Sequence, residues 1–350
     1  MPKIDLFFAT NRNRLADQNG QAAFGALAAP GAQGIAFGAC TVDNVNDRDP
    51  GGGTITALDV VNFGGIGPEL RARILPDAGH DVLVFIHGAA NTFRDAMQRA
   101  AFNTLWINQF SGRPVTTIAV SWPAMHYNIA DIAGDLRDYR ADQVQAEASG
   151  AHFIEFLAAL YQLKAASGGR RLTLLAHSMG NYMLGSGVER WFATPRDGDP
   201  LFDQVVLAAA DEFADTFARP NGGRLSDLRL LAKRISVYTS RVDVLMHASR
   251  LANGGWRLGY DGPPNRADAT FFPPAIYDFV DCTANQDYLS QSGDETHQYY
   301  RESATVRADI ARVLKGQPAP RDMRSFNTVH NVSTLPPVSV LASNPVAPVA

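Results

Sequence analysis

The chain has 350 residues, with 31 Lys and Arg against 35 Asp and Glu, and therefore a formal net charge of −4. Apolar residues make up 46% and charged residues 19%, which excludes a mostly disordered chain. The near-neutral balance, without a run of basic residues, argues against a protein that binds nucleic acid or acidic membranes. The length allows one large α/β domain or two ordinary ones.

The cysteines and the first residues of the chain bear on the cellular compartment of the protein. Cys40 and Cys282 cannot form a disulfide framework and lack the spacing of a zinc site, although the sequence allows one bridge between them. The N-terminus has no apolar segment with a cleavage site, and no uncharged apolar run approaches the ~18–20 residues that span a bilayer. We expect a cytoplasmic protein without stable membrane insertion; the sequence carries no signal for an oligomeric state.

From about residue 80 onward, short β-rich runs alternate with longer helical patterns. The predicted strands are Asp81–Ile86, Val115–Val120, Arg171–Ala176, Phe202–Ala209, Arg234–Thr239 and Ile276–Val280. The predicted helices are Asn91–Phe110, about Asp135–Leu163, Tyr182–Phe192 and about Gln298–Leu314. This alternation predicts parallel strands that are joined by crossover helices.

Two regions lie outside the alternation. Residues 1–75 contain short apolar segments, including Ile4–Phe8 and Thr54–Leu58, that suit antiparallel strands at the start of a mixed sheet. Residues 316–350 carry six prolines and few charges, which is typical of an extended tail. We predict one α/β domain over residues 1–315, with a mostly parallel central sheet, antiparallel N-terminal strands and helices on both faces, followed by this tail.

The strongest local signal is Leu174–Gly180, in which a serine stands between a predicted strand and a predicted helix. Ala176 and Gly180 flank Ser178 at two residues on either side and are as small as a tight strand-turn-helix elbow requires. Such an elbow holds a nucleophilic serine near backbone N–H groups that can face an oxyanion. Ser167 has the same flanking pattern but precedes a strand, so its context is a loop. The alternative role for Ser178 is an ordinary helix cap.

A second motif, His87–Asn91, ends a predicted buried strand. The His-Gly pair allows a sharp turn, and the backbone N–H groups of Ala89 and Met179 are the candidate oxyanion hole. The structural alternative is that Asn91 caps the following helix and His87 is a buried histidine. Both interpretations can hold together, because neither side chain has to carry the proton.

A serine nucleophile needs a base, and the base needs a group that orients it. In hydrolases with this elbow the acid and then the histidine follow the serine along the chain. His297 lies between the last predicted strand and the last predicted helix and is the expected base, whereas His177 is expected to pack beneath the elbow. Asp243, after the strand Arg234–Thr239, is the favoured acid. Asp211, after the preceding strand, is the second choice.

The motifs occur in order over about residues 5–315. The matching segments are Ala9–Arg12, His87–Asn91, Ser121–Pro123, His177–Asn181, Asp211, Asp243 and His297 with Tyr299. In these the chain resembles the bacterial α/β-hydrolase family that is catalogued as a domain of unknown function and is related to serine lipases and esterases. The resemblance implies the α/β-hydrolase fold and a triad of Ser178, Asp243 and His297. It implies no particular substrate.

Other features bear on ligands. Trp122 ends a strand at the edge where the site should open, so it is either a wall of the substrate pocket or an aromatic residue at the edge of the core. The aromatic, Gly/Pro-rich insertion over residues 250–275 is expected to overhang the site as a lid or wall and suggests a mid-sized acyl or alcohol group. Asp243 and His247 are four residues apart without a third ligand, so we expect no metal. No cofactor is implied.

The sequence therefore predicts a serine hydrolase that cleaves a small-molecule carboxylic ester through an acyl-serine intermediate. An amide, a thioester or a lactone is an alternative substrate, because a triad with an oxyanion hole does not select the leaving group. The alternative from another class is a non-catalytic binding protein on a hydrolase scaffold. Such proteins usually lack a catalytic residue, whereas here the serine, the acid, the histidine and the His-Gly motif are all present.

Overall fold

The protein is described by a computed structural model over residues 2–29, 34–76, 79–110, 112–127, 136–196, 198–218, 223–290, 293–317 and 323–337. Its strands are β1 (Ile4–Thr10), β2 (Arg12–Gln18), β3 (Gln21–Ala28), β4 (Ala36–Asp43), β5 (Thr54–Phe63), β6 (Asp81–Ile86), β7 (Val115–Ser121), β8 (Leu172–His177), β9 (Gln204–Ala208), β10 (Ile235–Thr239), β11 (Tyr277–Asp281), β12 (Ser325–Asn327) and β13 (Val332–Thr334). Its helices are α1 (Pro68–Ile74), α2 (Phe93–Asn108), α3 (Leu136–Ala165), α4 (Gly180–Trp191), α5 (Leu228–Leu231), α6 (Val244–Asn253), α7 (Leu258–Asp261), α8 (Tyr299–Glu302) and α9 (Ala304–Leu314).

One large sheet forms the centre of the molecule. Within the described residues it has 11 strands, in the order β12-β13-β11-β10-β9-β8-β6-β7-β1-β4-β5. The neighbours from β11 to β1 pair in parallel, whereas β1 with β4 and β4 with β5 pair antiparallel. Strands β2 and β3 form a separate hairpin. The mostly parallel sheet with antiparallel N-terminal strands is confirmed.

Helices cover both faces of the sheet, and the alternation of side chains along β6 shows how. Val82 and Val84 face one apolar cluster, to which α3 and α4 contribute Phe156 and Leu184. Leu83 and Phe85 face the other cluster, which contains apolar side chains of α2 and α9. A strand that is buried on both sides reads as a continuous apolar run, which is the pattern of Asp81–Ile86 in the sequence.

The C-terminal part of the chain differs from its sequence-based description in two places. The single helix expected over about 298–314 is divided into α8 and α9, because Ser303 has extended backbone and its hydroxyl caps α9 by accepting the N–H of Val306. Within residues 316–350, which we describe as a tail, β13 pairs in parallel with β11 and β12 pairs with β13. Residues 318–322 and 338–350 of that tail lie outside the described residues.

The parallel strands bring the chemically interesting residues to one edge of the sheet. His87, Ser178, Asp211 and Asp243 each follow the carboxyl end of a strand, namely β6, β8, β9 and β10. In open parallel sheets, ligands bind outside the carboxyl ends of the strands. The topology therefore assembles these residues where a ligand site is expected.

Candidate active site

Ser178 occupies a strained turn between β8 and α4. Its φ is +52°, in the left-handed region that few residues other than glycine adopt. Its N–H donates to the carbonyl of Ala208 at 3.0 Å, and its carbonyl accepts the N–H of Asp211 at 3.1 Å. A Cβ at Gly180 would lie 2.5 Å from the carbonyl oxygen of His87, so this position requires glycine. The turn has the geometry of a nucleophile elbow.

His297 and Asp243 form a buried pair. His297 Nδ1 lies 2.8 Å from Asp243 Oδ2, and both side chains are shielded from solvent. The other carboxylate oxygen of Asp243 accepts the N–H groups of Leu245 and Met246 at 3.0 Å, which caps α6 and holds the carboxylate in place. Burial lowers the pKa of His297, but Asp243 raises it, and the net direction is upward. When Nδ1 donates to the carboxylate, Nε2 is left as the acceptor.

A second histidine, His177, lies beside this pair. The centre of its ring is 4.9 Å from that of His297 and 4.5 Å from that of Tyr300. Burial, followed by repulsion from His297, Arg301 and Arg99, holds its pKa well below the ordinary value. His177 is therefore a neutral ring that supports His297, and its charge does not change near neutral pH.

Asp211 belongs to a different network from Asp243. Its Oδ1 accepts from Arg257 at 2.8 Å, and its Oδ2 accepts from the Tyr139 hydroxyl at 2.9 Å. Asp211 and Arg257 are both buried, so each compensates the charge of the other. Among the described hydrogen bonds, none joins Asp211 to His297. The structure thus pairs the histidine with the favoured acid and gives the second choice a structural partner.

The loop of residues 87–91 lies directly against the elbow. A Cβ at Gly88 would lie 2.8 Å from the Cβ of Ser178. Ala89 is at the wall of the cavity that contains Ser178, and Met179 stands at the start of α4. Over the described ranges, the N–H groups of Ala89 and Met179 donate to no protein acceptor.

Two buried charged side chains hold this loop. Arg12 donates from Nη2 to the carbonyl of Asn91 at 2.6 Å and from Nε to the Ser121 hydroxyl at 2.9 Å. Asp142 accepts the N–H of Ala90 at 2.9 Å, and burial raises its pKa to about 6. Arg12 is part of a segment that the family resemblance matches. No signal in the sequence points to Asp142, which lies in the second turn of α3.

Ser178, His297, His177 and Ala89 line one cavity of about 230 Å³. Its wall also contains polar or charged side chains that were not predicted from the sequence, namely Asn91, Asp95, Arg99, His126, Tyr127, Asp294 and Gln298. Asp95 and Arg99 are four residues apart on α2, so they lie on the same face of the helix that follows the His-Gly motif. This spacing is the sequence signal that would have placed both side chains at the cavity wall. Among the described contacts, no hydrogen bond joins the Ser178 hydroxyl to the His297 ring; such bonds are often long before substrate binds.

The cavity bears on two expectations about the substrate pocket. Trp122 is not a wall of the cavity: it is fully buried, its ring stacks on His87 at 5.2 Å, and its Nε1 donates to the His87 carbonyl. Trp122 is therefore an aromatic residue of the core that packs against the loop of residues 87–91. Residues 250–275 supply no lining residue to this cavity. They line a separate cavity with Phe213, so they do not support the expectation of a mid-sized acyl group.

The remaining expectations concern cysteines, metals and membranes. Cys40 and Cys282 are both buried and free, so no bridge joins them. Within the part of the chain that the structure describes, no group of three or more His, Cys, Asp or Glu side chains is arranged to hold a metal ion. No helix among the described residues has the length and apolar character needed to cross a membrane.

A strained serine between a parallel strand and a helix, at the carboxyl edge of a sheet covered on both faces, is the arrangement of alpha/beta hydrolases. The chain belongs to the family described as alpha/beta hydrolase of unknown function (DUF900), whose family model matches residues 67–315. That range contains the elbow, the His-Gly loop and the His297–Asp243 pair. None of the curated proteins matches the sequence.

Several solved structures are similar to this chain. One, described as esterase PE8, is 14% identical, with 69% of this chain and 95% of that chain covered and a TM-score of 0.38. The product of gene lin2722 from Listeria innocua is 12% identical, with coverage of 73% and 98% and a TM-score of 0.33. RedJ, with a PEG molecule in its active site, is 15% identical, with coverage of 63% and 88% and a TM-score of 0.26. The family assignment rests on the family model and not on these likenesses.

Proposed function

We propose that the protein is a serine hydrolase that cleaves carboxylic esters of small molecules. The observation that carries the proposal is the strained Ser178 at the wall of a cavity that it shares with His297, whose Nδ1 is held by Asp243 at 2.8 Å. A serine hydroxyl is a weak nucleophile unless a base takes its proton, and an oriented, neutral histidine is suited to that role. Non-glycine residues with a strained backbone such as that of Ser178 are concentrated at active sites.

The chemistry proceeds in two halves. His297 Nε2 takes the proton of the Ser178 hydroxyl while the serine oxygen attacks the ester carbonyl carbon, and Asp243 stabilises the resulting imidazolium. The N–H groups of Ala89 and Met179 donate to the oxyanion. The intermediate collapses, the bond to the alcohol oxygen breaks, and His297 gives its proton to the leaving alcohol. Water then attacks the acyl-serine with His297 as base, and the acid is released.

The first test compares hydrolysis of p-nitrophenyl acetate, butyrate, octanoate and palmitate by the wild type and by Ser178→Ala. We expect the variant to lose about 10³-fold or more in kcat, because the residual rate then comes from the oxyanion hole and binding alone. Ser167→Ala is a matched control, because Ser167 has the same flanking pattern of small residues and lies in a loop that does not line the cavity. A Ser178→Ala enzyme as active as the control would contradict the proposal.

Amides, thioesters and lactones remain alternative substrates within the same mechanism. They are distinguished by comparing kcat/KM on compounds that share one acyl group and differ only in the bond that is cleaved. The non-catalytic alternative is tested by a fluorophosphonate probe, which reacts with an activated serine whatever the natural substrate is. We expect wild-type protein to be labelled at Ser178 and Ser178→Ala to remain unlabelled. Absence of both labelling and turnover would favour the binding-protein alternative.

A further inference from the structure

Arg99 is a half-buried cation at the cavity wall, and the carboxylates of Asp95 and Asp294 act on its charge without forming an ion pair with it among the described residues. It lies on α2, one turn after Asp95, and lines the same cavity as Ser178 and His297. One nitrogen of its guanidinium, Nη1, donates to the side-chain oxygen of Asn91. Within the described residues, Arg99 forms no ion pair. Asp95, the nearest carboxylate along the helix, is engaged by the N–H and the hydroxyl of Thr92 in the cap of α2.

Arg301 supplies a second positive charge that acts on Arg99. Its side chain is 5% exposed, and its Nε and Nη1 are buried without a hydrogen-bond partner. In the described part of the chain, this guanidinium also forms no ion pair. Burial, and then the charge of Arg301, lower the pKa of Arg99 to about 10, so Arg99 still carries its charge at neutral pH. Both arginines also act on His177, which lies beside the nucleophile.

A guanidinium that is buried without a hydrogen-bond partner at two of its nitrogens, as that of Arg301 is, is costly in a folded protein. A guanidinium presents parallel N–H donors that match a carboxylate, and the bond is stronger in a site that excludes water. We propose that Arg99 binds a carboxylate of the substrate. The preferred substrates are then esters whose short acyl chain ends in a carboxylate. This substrate preference rests on the proposed ester hydrolysis, whereas anion binding at Arg99 does not.

The cavity limits the charge and the size of that group. Asp294 and Asp95 also line it, and each would repel additional negative charge, so a monoanionic carboxylate fits better than a phosphate dianion. The volume of about 230 Å³ suits a short acyl chain and not a fatty one. The surrounding wall is polar, which agrees with a charged substrate and disfavours a long alkyl group.

The kinetic test uses two esters of equal shape, monomethyl succinate and methyl succinamate, which differ in a carboxylate against a neutral amide. Hydrolysis is followed by proton release with wild type, Arg99→Gln, Arg99→Lys and the control Arg94→Gln, an exposed arginine of the same helix. We expect wild type and the control to prefer the anionic ester about tenfold to a hundredfold in kcat/KM, the range for a bond to a charged group. Arg99→Gln should bring this ratio to about one, and Arg99→Lys should give an intermediate ratio.

A binding measurement separates this proposal from the proposed reaction. Calorimetric titration of Ser178→Ala with monomethyl succinate, a monoanion, should show binding that is lost in the Ser178→Ala, Arg99→Gln double variant and kept with Arg94→Gln. Binding of monomethyl succinate without turnover of any ester by the wild type would uphold the anion site and contradict ester hydrolysis. Turnover with equal losses on both esters in Arg99→Gln would mean that Arg99 only positions Asn91, and would overturn the proposal. Binding of inorganic phosphate in preference to monomethyl succinate would overturn the choice of a carboxylate.

Discussion

Asp243 and Asp211 show how one residue type takes different roles at equivalent positions. Both follow a strand at the same edge of the sheet, and both are buried. Arg257 lies 2.8 Å from Asp211 and neutralises it, whereas the partner of Asp243 is His297 at 2.8 Å. The charge of Asp243 therefore acts on the histidine. We therefore propose Asp243, the carboxylate that pairs with His297 and not with an arginine, as the acid of the site.

Asp243→Asn should lower kcat by about 10⁴-fold, the loss typical of a triad whose histidine loses its carboxylate. The pH profile should change as well. His297 acts as a base only when neutral, so kcat/KM rises with pH through its pKa. In the wild type Asp243 raises this pKa above 6.5, which places the acidic limb above pH 6.5. In the variant the largest raising effect is lost, while burial still lowers the pKa of His297 and Asp294 and Asp211 raise it less, so the limb moves to lower pH.

The control for this prediction is Asp211→Asn, which removes the buried charge opposite Arg257. We expect it to lower the free energy of unfolding by about 3–5 kcal/mol, because the arginine stays buried without its anion. The acidic limb should move to lower pH by less than in Asp243→Asn, because Asp211 raises the pKa of His297 less than Asp243 does. A profile that shifts in Asp211→Asn and not in Asp243→Asn would assign the acid to Asp211.

At the scale of elements, the site depends on how the loop after β6 is held. Arg12, at the start of β2, reaches Asn91 at the end of this loop, 79 residues away in the chain. Asp142, from α3, binds the N–H of Ala90 across 52 residues. Since Ala89 lies between these two anchors and His87, its N–H is oriented by contacts from a strand and a helix.

Arg12→Lys should lower kcat by about 10²-fold with a smaller effect on KM. Lysine keeps the charge but lacks the planar fork that bonds Asn91 and Ser121 together, so the Ala89 N–H is no longer fixed toward the oxyanion. The loss approaches that of one oxyanion-hole donor, about 10²–10³-fold. Arg14→Lys, on the same strand, is the matched control. Equal kcat in both variants, measured on one ester at saturation, would contradict the anchoring role of Arg12.

The parts of the fold and the site that were predictable are those with local causes. A tight elbow needs small residues at fixed distances from Ser178, and buried strands read as apolar runs, so both appear in a short window of sequence. Arg12 and Asp142, which hold the loop, and Arg99 at the cavity wall have roles that depend on contacts between distant parts of the fold. No short window of sequence contains these contacts. The sequence allows two roles for Trp122, because the side chain of a residue at the end of a strand near the site can face either the core or the cavity.

At the scale of the whole molecule, the far edge of the sheet is completed by residues beyond the family match at 67–315. Arg324 bonds Asp309 through Nε at 2.8 Å and Nη2 at 2.6 Å, and its Nη1 bonds Asp278 at 2.5 Å. Asp309 is fully buried on α9, and Asp278 lies on β11. We propose that residues 323–337 are part of the folded unit and not a free tail.

Arg324→Gln should lower the free energy of unfolding by about 3–5 kcal/mol, because Asp309 is left as a buried carboxylate without its cation. In a chain of this size the loss lowers Tm by several degrees, which thermal unfolding detects. Truncation after Lys315 removes β12 and β13 as well and should lower Tm further. The variant truncated after Pro337 keeps each described contact of Arg324 and should have the Tm of the wild type. If Arg324→Gln and the shorter truncation both unfolded at the wild-type temperature, residues 323–337 would contribute nothing to the fold.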